Sequence, residues 1–178
     1  MKPTQARPDT GTPILETPRL RLRRAALSDS SFFCRLLNEP TWLENIGDRG
    51  VRTNAEAETY IKNRIWAPYQ DLGYGLYVVE LKSAGIPIGL CGLVRREFLS
   101  APDLGFALLP EYVGQGYASE AARGVMSHAK NALGVGRLYA IVRRGNDRSI
   151  RVLDGLGFRH EGPCPTLQAE DVELYATT

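Results

Sequence analysis

The feature that most constrains this chain is a strand that runs into a glycine-containing turn and then into a long helix, Leu108-Leu109-Pro110-Glu111-Tyr112-Val113-Gly114-Gln115-Gly116-Tyr117-Ala118-Ser119-Glu120-Ala121. Glycines let a backbone approach an anion closely, and consecutive N–H groups in such a turn can converge on it. The helix N-terminus adds positive potential, so a pyrophosphate would be well received here. Two nucleotide-binding alternatives fail on detail. There is no Gly-Lys-Ser/Thr ending, which excludes a nucleoside-triphosphate P-loop, and Ser119 stands where GxGxxG needs its third glycine. Three antiparallel-looking strands also precede the turn, where a dinucleotide fold would have a βαβ unit.

The rest of the chain sorts by period. Arg19-Leu20-Arg21-Leu22-Arg23 alternates strictly and reads as a half-buried strand with a solvated arginine face. Ser28 and Asp29 offer an N-cap to a helix that turns Phe32, Phe33, Leu36 and Leu37 inward and runs to Pro40. Thr53 with Glu56 is a capping box opening a second helix, with Ala57, Tyr60, Ile61 and Ile65 inward. Residues 42–50, between these helices, read as a loop. Residues 74–82, 86–97 and 103–109 then form an antiparallel meander across Ser-Ala-Gly and Ser-Ala-Pro turns.

The long helix, 116–133, lines up Ala118, Ala121, Ala122, Val125, Met126, Ala129 and Leu133, and its alanines imply close packing on a sheet. His128 borders that stripe. Residues 138–142 read as a strand and 149–156 as a helix that Gly157 ends. Residues 158–161 and 172–175 read as closing strands. The sum is a mixed α/β (α+β) domain: one central, mostly antiparallel sheet of six to seven strands with helices on both faces. Residues 1–13, rich in Pro and Thr, are expected as a flexible arm and 14–178 as a single domain.

Composition narrows the function. At 178 residues, 43% hydrophobic and 24% charged, the chain suits one soluble globular domain, and its net charge of +2 is small for a dedicated nucleic-acid binder. The stretch Ile86–Val94 is far short of the roughly twenty apolar residues a membrane span needs. Cys34, Cys91 and Cys164 are odd in number and widely spaced, so no metal site or disulfide framework is expected, and a reducing cytoplasm follows. Cys91 reads as a core residue. With only His128 and His160, no triad can be assembled.

On these residues the chain resembles the GNAT superfamily of acyl-CoA-dependent N-acetyltransferases. Val113-Gly114-Gln115-Gly116-Tyr117-Ala118 is similar to the family's Gln/Arg-x-x-Gly-x-Gly/Ala motif, which holds the pyrophosphate of coenzyme A; Val113 departs from its first residue. The form Gly-x-Gly-Tyr-Ala-x-Glu-Ala, which includes Ser119, looks like the branch of ribosomal-protein-alanine acetyltransferases. Asn146-x-x-Ser149, Val152-Leu153 and Leu156-Gly157-Phe158 resemble the segment that lines the pantetheine arm. Glu16-Thr17-Pro18-Arg19-Leu20-Arg21-Leu22 resembles the branch's first strand. The likeness covers about residues 14–176.

The resemblance implies acetyl-CoA as cosubstrate, no metal, and a primary-amine acceptor: a protein N-terminus or a small molecule. It implies direct attack of the amine on the thioester in a ternary complex, by a monomer or homodimer. Backbone N–H groups at about Phe106, Leu108 and Leu109 would meet the pantetheine and thioester. Asp103 is the first choice of proton acceptor, ahead of Glu170, Asp171 and Glu173. Ser149 is the first choice for meeting the departing sulfur, because Leu153 stands where many members carry a tyrosine. Trp42, Asp48, Arg49, Arg52 and Tyr74 would line the acceptor mouth. Two readings compete: a non-catalytic acyl-CoA sensor on the same scaffold, and an RNA-associated protein using Arg95, Arg96, Arg143, Arg144, Arg148 and Arg151.

Overall fold

Alternation in Leu20-Arg21-Leu22-Arg23 buries both leucines completely and makes β2 (Leu20–Arg23). The computed structural model describes residues 13–165 and 171–178, and among them eight strands form one sheet. β1 (Pro13–Glu16) precedes β2. The meander is β3 (Leu76–Leu81), β4 (Ile86–Val94) and β5 (Asp103–Leu108), and β6 (Tyr139–Arg143), β7 (Arg159–Pro163) and β8 (Val172–Ala176) complete the sheet. Its order is β1-β2-β3-β4-β5-β6-β8-β7, antiparallel except between β5 and β6. The expected architecture is present with eight strands in place of six to seven. The added one is β1, whose Pro-Ile-Leu-Glu stretch does not alternate apolar and polar residues as β2 does. Of the arm expected over 1–13, Pro13 opens β1 and residues 1–12 lie outside the described residues.

Helices cover both faces of this sheet. β4 is buried at every position from 88 to 93, and successive side chains of a strand point to opposite sides. α5, the long helix (Tyr117–Ala132), lies over β1, β2, β4 and β5. Its Ala121, Ala122, Val125 and Ala129 are fully buried, and their small side chains bring the helix close to the strands. α1 (Ser30–Leu36) packs on α3 (Asn54–Tyr60), with α2 (Pro40–Asn45) between them in sequence and α4 (Ala67–Asp71) following. α6 (Asp147–Gly155) packs on β6 and α5. Among the described residues no helix is long and apolar enough to cross a membrane.

Three local expectations change. Residues 42–50 hold most of α2 instead of a loop, because Pro40 starts that helix at its first position, where a missing N–H costs nothing. Asp29 does not cap α1 with its side chain; its carboxylate accepts from the Ala26 N–H at 2.8 Å and from Arg23. The Thr53–Glu56 box does form, but the helix it opens runs far past residue 65, through a π-helical turn (Ile61–Trp66) into α4. The buried positions of this run are Ala57, Ile61, Ile65 and Tyr69, every fourth residue. On a regular α-helix such a repeat drifts about 40° per step. The wider π turn absorbs part of that drift and keeps all four facing inward.

β2 also carries a half-buried ion network. Arg23 donates to both oxygens of Asp29 at 2.8 and 2.9 Å and to Glu80 at 2.9 Å, while Arg21 donates to the other Glu80 oxygen at 2.7 Å. Burial pushes the Glu80 carboxyl up, but Arg23 and Arg21 more than offset it and hold it below the ordinary value. Glu80→Ala leaves Arg23 with Asp29 as its one carboxylate partner in a site that is mostly shielded from water. It is expected to cost about 3 kcal/mol in urea unfolding at neutral pH. A depressed folded value means this contribution is complete above the unfolded carboxylate's pKa of about 4.3 and fades as pH falls through the folded one. Wild type and variant should therefore converge in acid, and an equal gap at every pH would contradict the assignment.

Candidate active site

The glycine turn has the geometry its sequence implies. Gly114 (φ +81°) and Gly116 (φ +83°) both take the left-handed conformation, and Gly116 is the residue from which α5 springs. A β-branched residue is strongly disfavoured there. Gly116 has no side chain to cap the helix, so the first-turn N–H groups at Tyr117, Ala118 and Ser119 receive no side-chain acceptor. Val113 before the turn is extended and exposed. The Gln115 side chain donates back to the Glu111 carbonyl at 2.8 Å, which fixes the turn from inside.

Arg19, read from sequence as part of a solvated strand face whose arginines could bind an anion, is placed by the structure against the glycine turn. It sits just ahead of β2 and crosses the turn, donating to the Gln115 carbonyl at 3.0 Å and to Glu120 at 2.6 Å, with its guanidinium 4.3 Å over the Tyr117 ring. Glu120 also accepts from the Thr17 hydroxyl at 2.6 Å and the Arg19 backbone N–H at 2.8 Å. Beside this lattice runs a groove of about 600 Å³ lined by Arg19, Gly116, Ser119, Glu120 and Arg123. Nothing local announces the tie, since Arg19 and Glu120 lie about a hundred residues apart in the chain.

A gap opens between β5 and β6. Their parallel pairing is recorded at one position, Asp103 with Tyr139, where the Tyr139 N–H meets the Pro102 carbonyl at 2.9 Å. Beyond it β5 is buried at Asp103 and Leu104 but only half-buried from Gly105 to Leu108, although it is an interior strand. Backbone groups alternate sides along a strand. With Pro102 directed at β6, the N–H groups of Phe106 and Leu108 face the same way, into the gap. Leu109 departs from the expectation: its N–H is bonded to the Ile88 carbonyl at 2.9 Å, so it belongs to β4 and is not offered to a ligand.

At the C-terminal end of β6 the second motif opens α6. Asn146, not Ser149, is the helix cap: its side chain accepts from the Ser149 N–H at 3.3 Å. Ser149 is half-buried in the first turn, and its hydroxyl makes no hydrogen bond among the described residues. Because β6 runs parallel to β5, the N-termini of α5 and α6 stand at the same end of the gap. Asp103 stands at the opposite, closed end, 3% exposed, accepting from Arg96 Nε at 3.0 Å. Burial pushes its carboxyl up, against the opposing pull of Arg96.

The acceptor-side residues are not brought to one place. Trp42 is in the core, its indole N–H without a partner among the described residues. Asp48 is exposed and held by Arg52 at 2.5 Å, which keeps its carboxyl down at about 2. Arg49 lines a groove of about 410 Å³ with Val51, Tyr60, Asn63 and Arg64, and neither Trp42, Asp48 nor Tyr74 joins it. Tyr74 precedes β3, whose first residue is level with Gly92 and through it with Gly105. Glu173 is paired to Arg144 and His160, which lower its carboxyl; Asp171 is exposed and Glu170 lies outside the described residues. Cys91 is fully buried, which pushes its thiol far up and suits a core residue.

Comparison with known proteins agrees with this geometry. Residues 19–159 match the acetyltransferase (GNAT) domain, so the chain belongs to the GNAT acetyltransferase family. The N-acetyltransferase YoaA of Bacillus subtilis (strain 168) is 29% identical over 153 residues, 84% of this chain and 85% of that protein. Spermidine N(1)-acetyltransferase of Escherichia coli (strain K12) is 40% identical over 87 residues, 48% of this chain and 46% of that protein. RimL, a ribosomal L7/L12 alpha-N-protein acetyltransferase solved with coenzyme A, shares the fold at a TM-score of 0.79 and 22% identity, covering 93% of this chain and 97% of that one.

Gly116→Val tests the turn. Forcing a β-branched residue into the left-handed region should cost about 1–2 kcal/mol of stability. A Cβ there would also crowd the Arg19 guanidinium, 3.3 Å away. Calorimetric affinity for acetyl-CoA should fall further than the stability loss accounts for. A folded variant with unchanged affinity would remove Gly116 from the site.

Proposed function

We propose that this protein is an acetyl-CoA-dependent N-acetyltransferase that moves an acetyl group to a primary amine, on a protein N-terminus or a small molecule. The observation that carries the reading is the convergence at one end of the β5–β6 gap: a left-handed glycine turn at an uncapped helix N-terminus, the unpaired strand edge at Phe106 and Leu108, and Ser149 on α6. The residues present fit the coenzyme. The N–H groups following Gly116 would hold its pyrophosphate, Arg19 and Arg123 would face its phosphorylated nucleotide end, and the Phe106 and Leu108 edge would align its pantetheine as an added strand. The coenzyme supplies an activated acetyl thioester.

The chain's own contribution is orientation and electrostatics. Two backbone donors on a rigid strand edge fix the thioester and favour negative charge on its oxygen. The Ser149 hydroxyl donates a hydrogen bond to the departing sulfur, directly or through water. The amine must lose its proton, and water in the half-open gap can accept it. YoaA and the spermidine enzyme are named as N-acetyltransferases and RimL acts on a protein α-amine, which supports a primary amine as acceptor. Among the arginines an RNA-binding reading needs, Arg96 is bonded to Asp103, Arg143 to the Glu44 carbonyl and Arg144 to Glu173, so much of that basic surface is already engaged.

Two measurements test this. Acetyl-CoA about 100-fold above its dissociation constant should stabilise the protein by about 2.7 kcal/mol, while NAD should not, and free thiol should appear when a panel of primary amines is added. Stabilisation without thiol release by any amine would favour the sensor reading. For Ser149→Ala, turnover should fall by about 100-fold or somewhat less, with acetyl-CoA affinity and melting temperature held, because Asn146 already supplies the cap. Asn146→Ala is the contrast, costing about 1 kcal/mol of stability. Full turnover in Ser149→Ala would remove the hydroxyl from the leaving-group role.

A further inference from the structure

The gap between β5 and β6 has two faces, and the strand registers tell them apart. Side chains alternate along a strand, and residues level with each other on paired strands point to the same face. Tyr77 pairs with Cys91 and Cys91 with Phe106, while the Tyr77 ring meets His128 of α5 edge-on, so Phe106 and Leu108 turn their side chains toward α5. Gly105 and Ala107 therefore face the other way, with Leu76, which is level with Gly105 through Gly92. Tyr139 shares that face through its pairing with Asp103, and Ile141 and Arg143 follow it by alternation. It is the face of α2, since Arg143 Nη1 donates to the Glu44 carbonyl at the C-terminal end of that helix. Counting two residues per rung from Asp103 and Tyr139 puts Arg143 level with Ala107, between the Phe106 and Leu108 donors.

The charges on this face are lopsided. Arg143 is exposed, and its bonded partner among the described residues is a neutral carbonyl, which takes one of the five N–H donors a guanidinium carries. Asp103, at the closed end, is 3% exposed and already paired with Arg96 at 3.0 Å, and the Glu44 carboxylate is exposed on α2. There is room beside the strand, because a Cβ on Gly105 would come no nearer than 3.5 Å to a neighbour, an ordinary contact. We propose that Arg143 determines specificity on the acceptor side: its guanidinium takes a carboxylate that the acceptor carries a few atoms from its reacting amine, so the substrates are amino acids or peptides with an acidic group near the N-terminus, and not polyamines. This deepens the acetyltransferase reading and rests on it for the reaction. A guanidinium fork matches a carboxylate with two parallel hydrogen bonds, and holding that end leaves the amine free to turn toward a thioester at the Phe106 and Leu108 edge. Spermidine offers this donor no acceptor and would bring its further positive charges against it.

The test uses acceptor pairs that differ only in the carboxylate: alanine and phenylalanine against their α-amides, and the peptide amide Ala-Glu-Ala against Ala-Gln-Ala, with spermidine alongside and rates compared per neutral amine. In at least one pair the carboxylated member should lead by about 10- to 100-fold in kcat/KM, the weight of hydrogen bonds between charged groups, and spermidine should rank with the uncarboxylated members. A lead in the amino-acid pairs assigns a free α-carboxylate, and a lead in the peptide pair an acidic side chain. Arg143→Gln should bring the carboxylated member down to about its partner's rate, with acetyl-CoA affinity retained. Equal rates within every pair in wild type, or faster turnover of spermidine than of any carboxylated amine, would overturn the proposal. So would a variant that slows both members of a pair by the same factor, which would make Arg143 only a tie between β6 and α2. Should Arg143→Gln not fold, the wild-type preference decides alone. Acceptor binding is also measured calorimetrically with coenzyme A present. If the acids bind through Arg143 but no amine releases thiol, the acetyltransferase reading falls and this inference stands. If acetyl-CoA binds and no carboxylated amine binds or reacts, the inference falls.

Discussion

The candidate site depends on one interrupted row of hydrogen bonds. β5 and β6 begin as parallel neighbours and part after Asp103 and Tyr139, which turns the middle of an eight-stranded sheet into a cleft. An interior strand with an unpaired edge is costly unless something else satisfies its backbone. The end of β5 from Gly105 to Leu108 is half-buried, and an extended ligand with amide groups of its own could satisfy its backbone there. The cleft thus carries its specificity in backbone geometry. The side chains of Phe106 and Leu108 stay free to serve the core, against which both pack.

The turn at the cleft's mouth is held from three directions. Gln115 bonds back to Glu111, Glu111 is paired with Arg35 of α1 at 2.8 Å, and Arg19 bridges the Gln115 carbonyl to Glu120. Most of these contacts are exposed, and single surface pairs contribute little to stability. Their collective effect is geometric: they fix the first turn of α5 relative to the sheet, so that its N–H groups are already oriented when an anion arrives. The Arg23–Asp29–Glu80 network, by contrast, is largely buried, and it sets where the helical layer begins after β2.

That layer is the less regular half of the molecule. A helix begun by the Thr53–Glu56 box widens into a π turn so that Ala57, Ile61, Ile65 and Tyr69 can all reach the core. Trp66 then donates to the Ala25 carbonyl at 2.7 Å and Tyr69 stacks on Tyr77, which anchors the layer to β2 and β3. α2 is held more lightly, with its Glu44 carbonyl accepting from Arg143 of β6 and Leu43 and Ile46 exposed.

Sequence alone determined whatever depends on neighbours in the chain. Period placed β2 to β6 and α5 within a few residues, because burying one face of a strand or helix leaves a direct trace. The glycine turn was legible because a left-handed backbone at Gly114 and Gly116 admits few other residues. Asn146 and Ser149 were legible as a pair, but which one caps α6 was not, since both side chains are chemically able to do so. Tertiary structure decided what depends on strangers in the chain: the tie of Arg19 to Glu120, the loss of Leu109 to β4, the insertion of β8 between β6 and β7, and the dispersal of Trp42, Asp48, Arg49 and Tyr74. Asp103 shows the boundary most sharply. An acidic residue on the strand before the turn is visible in the sequence, but its burial beside β6 and its pairing with Arg96 are fixed by the fold, and no local pattern encodes that.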